Sequence, residues 1–346
     1  MLEEFSQRFS KIEDALAKAL PHSAQNEWQK NSFDDEETLE LPYIQKLIEP
    51  NKELMDAGGK RWRPLLMILL YEESLKKNHG TALSESQVYA LTPLVEFVHT
   101  ASLIHDDIED SSDFRRGKPA AYKTYGLDTA LNCGSWLYFE APVCINNSKI
   151  PEKMKLELYE LYTRELRKLH LGQAMDIFWH RNPDFFPSAA EYSVMVKNKT
   201  GTLASLASQL GCLCGGMSAE ESKKIGEIAT NIGIGFQIID DVINLTSGNP
   251  GKKRGDDIVE GKKSMPVLLH IQKNPENKEK IASFMKQASK EGINSPAVEN
   301  CIALLNTNSC IKDASERGIK LIKENCQKLG SEKITALFNS MIPSQF

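Results

Sequence analysis

Two stretches of the chain concentrate carboxylates where an apolar helix would otherwise run. In Leu103-Ile-His-Asp-Asp-Ile-Glu-Asp110, Asp106 and Asp110 are four residues apart and share one helix face, with Asp107 at its edge. Like charges one turn apart near a helix C-terminus repel each other and oppose the macrodipole, so something must offset them. A hard divalent cation does so: Mg2+ takes a few carboxylates and completes its shell with water and phosphate oxygens. The second stretch is Gly235-Phe-Gln-Ile-Ile-Asp-Asp-Val-Ile-Asn-Leu245. There Gln237, Asp240, Asp241 and Asn244 form a polar stripe, and Phe236, Ile239 and Ile243 an apolar one. Burying such groups without partners costs on the order of 2–7 kcal/mol each when neutral, and more when charged. One such cluster alone is equally well read as a solvated acidic face. Two, each continuous with an apolar helix, point to a shared metal site facing a cavity. His99 lies near the Asp106 face and can look into that cavity, whereas His105 reads as a structural histidine.

Basic segments match these acids. Gly58-Gly-Lys-Arg-Trp-Arg-Pro64 puts Lys60 and Arg63 at a helix start, where backbone N–H groups also favour anions. Arg115-Arg116-Gly117 follows the first acidic cluster. Lys199 and Thr200 fall inside a helical pattern, and Gly251-Lys-Lys-Arg-Gly255 with Lys262 follows the second cluster. Each segment alone is weak. Together they suggest two diphosphate sites, one bridged to carboxylates through Mg2+ and one held directly by Lys and Arg.

The elements that must position these residues are helical. Apolar residues recur three and four apart in Phe5–Leu20, Leu65–Leu75, Leu91–Ile104, Met154–Leu171, Ala189–Leu213, Ile225–Leu245 and Ile311–Leu329, and strand-type alternation is hard to find. Residues 21–45 and 272–297 are polar and read as surface connections. The expectation is an all-α fold, one domain over 1–346, with antiparallel helices around a central cavity. Among 346 residues, 41% are hydrophobic and 26% charged, with net charge −5; this excludes a disordered or collagen-like chain and gives no electrostatic reason for nucleic acid. No apolar run is long enough to span a bilayer, and the N-terminal stretch lacks the pattern of a secretion signal. Seven irregularly spaced cysteines without Cys-x-x-Cys predict reduced thiols in a cytoplasmic protein.

The segments GGKRWRP (58–64), HDDIEDSSDFRRGKP (105–119), GQAMDI (172–177), KTG (199–201), GFQIIDDVIN (235–244) and GKKRGDDIVEGKKSMP (251–266) together resemble the polyprenyl synthetase family, the trans-isoprenyl diphosphate synthases. They occur in that family's order and spacing. The resemblance implies a helical bundle with a deep cavity, usually a homodimer, and small-molecule diphosphate substrates. It implies that Asp106, Asp107, Asp110, Asp240 and Asp241 bind about three Mg2+ ions. The allylic diphosphate would be held with Arg115, Lys199, Thr200, Gln237, Lys252 and Lys262, and isopentenyl diphosphate by Lys60, Arg63, His99 and Arg116. Lys199, Thr200 and Gln237 would be catalytic, anchoring the leaving group, with the oxygens of Thr200 and Gln237 facing a developing carbocation. Closing the 248–262 loop, which contains Asp257, would keep water away.

The sequence departs from the family pattern at Asn244, where Asp is frequent; at Gly134-Ser135, where Gly-Asp is frequent; and at Lys253-Arg254, which makes the loop more basic. Product length should depend on the positions one turn below the first motif, Ala101 and Ser102. Both are small, which favours geranylgeranyl diphosphate or longer, each added CH2 gaining roughly 0.8 kcal/mol until a floor blocks it. Trp136, Tyr138, Phe97 or Met175 could form such a floor. Alternatives are a farnesyl diphosphate synthase or a non-catalytic subunit of a heteromeric synthase. A class I terpene cyclase fits less well, because Asn244 and Gly248 do not supply its second motif.

Overall fold

The computed structural model describes residues 3–34, 41–77, 80–248 and 253–342. Helices account for nearly all regular structure, and the described strands are one two-residue hairpin, Phe114–Arg115 against Lys118–Pro119. The expected all-α class holds. The helices gather into two compact units, Met1–Arg164 with Leu206–Gly226, and Glu165–Ser205 with Glu227–Phe346.

In the first unit the Pro93–Glu109 helix is a core helix. Proline stands in its first turn, where the missing N–H costs nothing. Residues on all its sides are buried, including Leu94, Val95, Phe97, Val98, Ala101 and Ile104. Its only buried charges are Glu96 and Asp107. The helix stops at Asp110; Ser111 turns into left-handed backbone, and the Ser112 N–H donates to the Asp107 carbonyl at 2.9 Å. The hairpin that follows turns on Arg116 and Gly117, both with positive φ (52° and 78°), the geometry a two-residue hairpin with right-handed strand twist requires. Gly117 suits it; Arg116 is strained, and its neighbours must hold it there.

In the second unit a core of Tyr192, Met195, Val196, Ile238, Val242, Leu245, Ile258 and Met265 packs the Met265–Lys273 helix beside the second acidic stretch. The predicted Ala189–Leu213 helix is present but interrupted: Ala189–Val196 passes through a π-helical turn, Lys197–Gly201, into Thr202–Cys214. Such turns insert an extra residue into a helix and often mark functional positions.

Two expected connections are helices instead. Residues 272–297 contain Lys278–Glu291, whose Ile281, Ala282, Met285 and Ala288 are buried; six lysines and glutamates on its outer faces hide that stripe in the composition. Residues 21–45 contain Asn26–Phe33 and the start of Leu41–Asp56, which continues through Pro50. All seven cysteines are unpaired. Among the described residues, no helix is long and apolar enough to cross a membrane.

Candidate active site

The first unit brings the first acidic cluster to an arginine-rich pocket of charge. Asp107 is buried, and its Oδ1 accepts from Arg115 Nε at 2.8 Å and Nη2 at 2.5 Å. The hairpin makes this contact, because its turn brings Arg115 back under the helix end. Asp106 and Asp110 remain partly exposed. Arg116 donates from Nη1 to the Leu54 carbonyl at 2.7 Å. Gly59 lies under Arg116 and Arg61, and a Cβ there would meet both guanidinium groups at 2.9 Å.

Arg63, in the first turn of the Trp62–Lys76 helix, has a buried Nε with no hydrogen-bond partner among the described residues. Burial, followed by Arg116, brings its pKa down to about 10, against the opposing pull of Glu96. His99 is half-buried; burial first, then Arg63, Arg116 and Arg115, hold its imidazole well below its ordinary value, so it is neutral at pH 7 and has one donor and one acceptor nitrogen. Lys60 is exposed, with no partner among the described residues. Arg63 and Arg116 therefore form a positive cluster beside a neutral His99, and the buried Arg63 Nε has no acceptor among the described residues.

Glu96 is the residue sequence reasoning missed here. It is 2% exposed and accepts from Arg61 Nη1 at 2.8 Å; Arg61 also donates to Glu13 and to the Met55 carbonyl. Burial pushes Glu96 upward while Arg61, Arg63 and Arg116 oppose the shift. Its only sequence signal is a lone acid in an apolar run, three residues before His99.

His105 is structural, as expected. Its Nδ1 donates to the Ala101 carbonyl at 2.9 Å, and its Nε2 accepts from Ser135 Oγ at 3.2 Å. This accounts for part of the Gly134-Ser135 departure: Ser135 meets the histidine, and a Cβ at position 134 would stand 2.9 Å from His105 Cε1. Ala101 is fully buried, while Ser102 is half-buried and donates to the His99 carbonyl at 2.8 Å. Trp136 stacks on Phe33, and Tyr138 on His105.

The second unit holds the other acidic cluster differently. Asp241 is buried; its Oδ2 accepts from Tyr192 Oη at 2.6 Å and the Met265 N–H at 2.9 Å, and its Oδ1 from Gln237 Nε2 at 3.2 Å. Burial pushes the carboxyl up to about 6, against these hydrogen bonds. Gln237 Oε1 accepts from Thr200 Oγ1 at 2.9 Å, so Thr200, Gln237, Asp241 and Tyr192 form one chain of hydrogen bonds. Asp240 is exposed. Close helix packing sets this register: a Cβ on Gly233 would lie 2.9 Å from Gly201 Cα, one residue from Thr200 and one turn from Gln237.

Lys199 donates to Asp176 Oδ2 at 2.6 Å. The contact depends on Gly172, where a Cβ would sit 2.2 Å from the Lys199 backbone nitrogen. Burial raises the Asp176 pKa, but Lys199, then Lys262, more than reverse this, so it stays below its ordinary value. Asp176 and Tyr192 were not singled out from sequence; Asp176 lies in the GQAMDI segment, while Tyr192 carries no local signal. Lys262 pairs with Glu260 at 2.6 Å and Asp257 at 3.8 Å. Asn244 is fully buried, and its Oδ1 accepts from the Asp257 N–H at 3.2 Å, so this departure pins the Asp256–Glu260 turn. Lys252 lies outside the described residues.

Among the described residues, no three His, Cys, Asp or Glu side chains already converge as a metal cage. Asp106 and Asp110, partly exposed, and Asp240, exposed, carry carboxylates of the kind that suits Mg2+, an ion that binds through one or two carboxylates and takes the rest from water and phosphate.

Residues 44–303 match the family model for polyprenyl synthetase. The geranylgeranyl pyrophosphate synthase of Gibberella zeae is 35% identical over 240 residues, 69% of this chain and 60% of that protein. The geranylgeranyl diphosphate synthase of Sulfolobus acidocaldarius is 32% identical over 261 residues, 73% of this chain and 76% of that one. The solved geranylgeranyl pyrophosphate synthetase from Pyrococcus horikoshii matches with a TM-score of 0.79 at 24% identity, over 98% of this chain and 95% of that one, a likeness of fold. The chain spans about 60% of the length of the Gibberella relative. With three quarters of its length matched, carrying both acidic clusters, the chain belongs to the polyprenyl synthetase family.

Proposed function

We propose that the protein is a trans-prenyltransferase that condenses isopentenyl diphosphate with an allylic diphosphate, head to tail, to give geranylgeranyl diphosphate or a longer product. The observation that carries this reading is the hydrogen-bonded row Thr200–Gln237–Asp241 beside the Lys199–Asp176 pair. It combines a cation for a leaving diphosphate with neutral oxygens that tolerate a developing allylic cation. The relatives named as geranylgeranyl synthases support the product class, as do the small side chains at Ala101 and Ser102.

In this reading Arg63, Arg116, His99 and Lys60 hold isopentenyl diphosphate; the phosphate supplies the acceptor that Arg63 Nε lacks among the described residues. Lys199, Thr200, Gln237, Lys262, Lys252 and Arg115 serve the allylic diphosphate. Asp106, Asp110 and Asp240 would hold Mg2+, about three ions in all; when bound, they neutralise the leaving diphosphate so that the allylic C–O bond ionises. Asp107 and Asp241 carry protein partners here and hold Arg115 and Gln237 in place; direct ligation by either requires those partners to let go. The double bond of isopentenyl diphosphate attacks the cation, and the released diphosphate takes the proton. Asn244, through Asp257, fixes the turn that presents Lys262 and helps exclude water. A cytoplasmic homodimer completes the reading, with Leu127, Leu131 and Phe139, exposed along one helix, giving it an apolar face to bury.

The test is turnover of labelled isopentenyl diphosphate with dimethylallyl, geranyl and farnesyl diphosphates in Mg2+. A discrete product of twenty carbons or more supports the reading. A fifteen-carbon product shifts the assignment to a farnesyl synthase. No incorporation by folded protein shifts it to a partner-dependent subunit.

A further inference from the structure

The first unit contains a cavity of about 490 Å3, within the size range of pockets that take small organic ligands. Ala15, Trp28, Phe97 and Val143 give it apolar walls, while Ser32 and Glu140 bring polar atoms to it. Glu140 is the last residue of the Leu127–Glu140 helix, so its carboxylate faces the negative end of the helix dipole. It is 5% exposed. Its one hydrogen-bond partner among the described residues is Ser32, whose Oγ donates to Oε1 at 2.8 Å, and it forms no ion pair among them. The cavity also has Lys11, Lys18, Asp14 and Glu85, but Lys11 is engaged by both Glu85 oxygens at 2.9 Å. Among the described residues Glu140 has no ion pair, with Lys18 on the lining but not paired with it, and its carboxyl is pushed up to about 7 by burial, against the Ser32 hydrogen bond.

A buried carboxylate with no ion pair among the described residues, at a cavity with one apolar wall and a polar rim, selects a definite chemistry: an apolar body ending in an ammonium group. We propose that this cavity is a binding site for a lipophilic amine, whose ammonium pairs with Glu140 while its hydrocarbon part lies against Trp28, Phe97 and Val143. The site uses none of the residues assigned above to diphosphate, metal or catalysis, although Phe97, named above among the floor candidates for the prenyl tail, lines it. Phe97 does stand on the helix that carries Asp106, so an occupant touches the element that positions the first acidic cluster.

Titration calorimetry on the full chain, with n-octylamine and n-octanol as probes at about pH 8, where the carboxyl is mostly ionised, tests this. The amine is expected to bind one per chain, about tenfold or more tighter than the alcohol. Glu140→Gln keeps the Ser32 contact and the volume; it should bring the amine down to the level of the alcohol. Ala15→Trp fills the cavity and should remove both. Amine binding unchanged in Glu140→Gln, equal binding of amine and alcohol to the unaltered chain, or no amine binding at all would each overturn the proposal. Circular dichroism separates loss of fold in Ala15→Trp from loss of the site.

Discussion

The two acidic clusters look alike in sequence, and the structure supports them by opposite means. Each pairs a buried aspartate with more exposed neighbours: Asp107 beside Asp106 and Asp110, Asp241 beside Asp240. Asp107 is held by a cation, Arg115, in a neighbourhood that also contains Arg61, Arg63 and Arg116 with Glu96 as counter-charge. Among the described residues Asp241 has no cation on either oxygen; a phenol, a backbone N–H and an amide hold it instead. An ion pair keeps its charges at the cost of desolvating both, and losing one partner strands the other. A carboxyl held by neutral donors titrates more easily but tolerates neutralisation. The first cluster is thus built to gather anions around fixed positive charge. The second holds Asp241 and, through it, Gln237 and Thr200 with neutral donors, while its nearby cation, Lys199, is paired with Asp176.

The largest effect expected is on turnover. Asp106→Ala removes a partly exposed carboxylate; kcat should fall by about 10²–10³ or more while thermal unfolding stays within a few degrees. Normal activity in that variant would sink the metal assignment. The comparison itself is tested by two conservative changes. Asp107→Asn leaves Arg115 facing a neutral amide; since Arg115 keeps 21% of its side chain exposed, a loss of about 2–3 kcal/mol is expected, below the cost for a fully buried partner. Asp241→Asn keeps one oxygen for Tyr192 and Met265, loses the acceptor for Gln237 and removes a charge that burial disfavours, so it should cost about 1 kcal/mol. Equal losses in urea unfolding would erase the distinction.

The chain-length positions sharpen it further. Ser102 is half-buried and four residues before Asp106, whereas Ala101 is fully buried. Ser102→Phe should shorten the product with the fold intact. Ala101→Phe should lose about 1–3 kcal/mol to overpacking, whatever it does to the product. Chromatography of dephosphorylated products decides: an unchanged distribution in Ser102→Phe means the tail does not follow this face.

What could be read from the sequence divides along physical lines. The helices bearing the motifs were legible because their apolar residues repeat over three or more turns, and Lys199 with Thr200 and Gln237 stood out as polar groups in apolar stretches. The π-helical turn at Lys197–Gly201 was not, because one extra residue leaves no compositional trace. Tyr192 meets Asp241 across 49 residues of sequence, a contact no local pattern predicts. Asp107 and Asp241 share spacing with their exposed neighbours, so sequence could not tell which carboxylate turns inward. Lys278–Glu291 reads as a connection in sequence because its charges outnumber the four side chains that bury.

The smallest effect concerns Glu140, a carboxyl in the first unit that is supported like Asp241 rather than like Asp107. Its folded value is raised to about 7 from an ordinary 4.5, chiefly by burial. Below 4.5 it is protonated in both folded and unfolded states and leaves stability unchanged. Between 4.5 and about 7 the folded state binds the proton more tightly than the unfolded state, so stability falls as pH rises through this window. Above it the cost is complete, since a buried ionised carboxylate must be carried. Glu140→Gln retains an acceptor for Ser32 and removes that cost. It should therefore be neutral at low pH and stabilising by about 1–2 kcal/mol at pH 8, within the limit set by 1.36 kcal/mol per pKa unit. Urea denaturation of both proteins across this range checks the sign. A gain that is constant with pH would mean the effect comes from packing, and a gain that shrinks as pH rises would mean Glu140 has a cation after all.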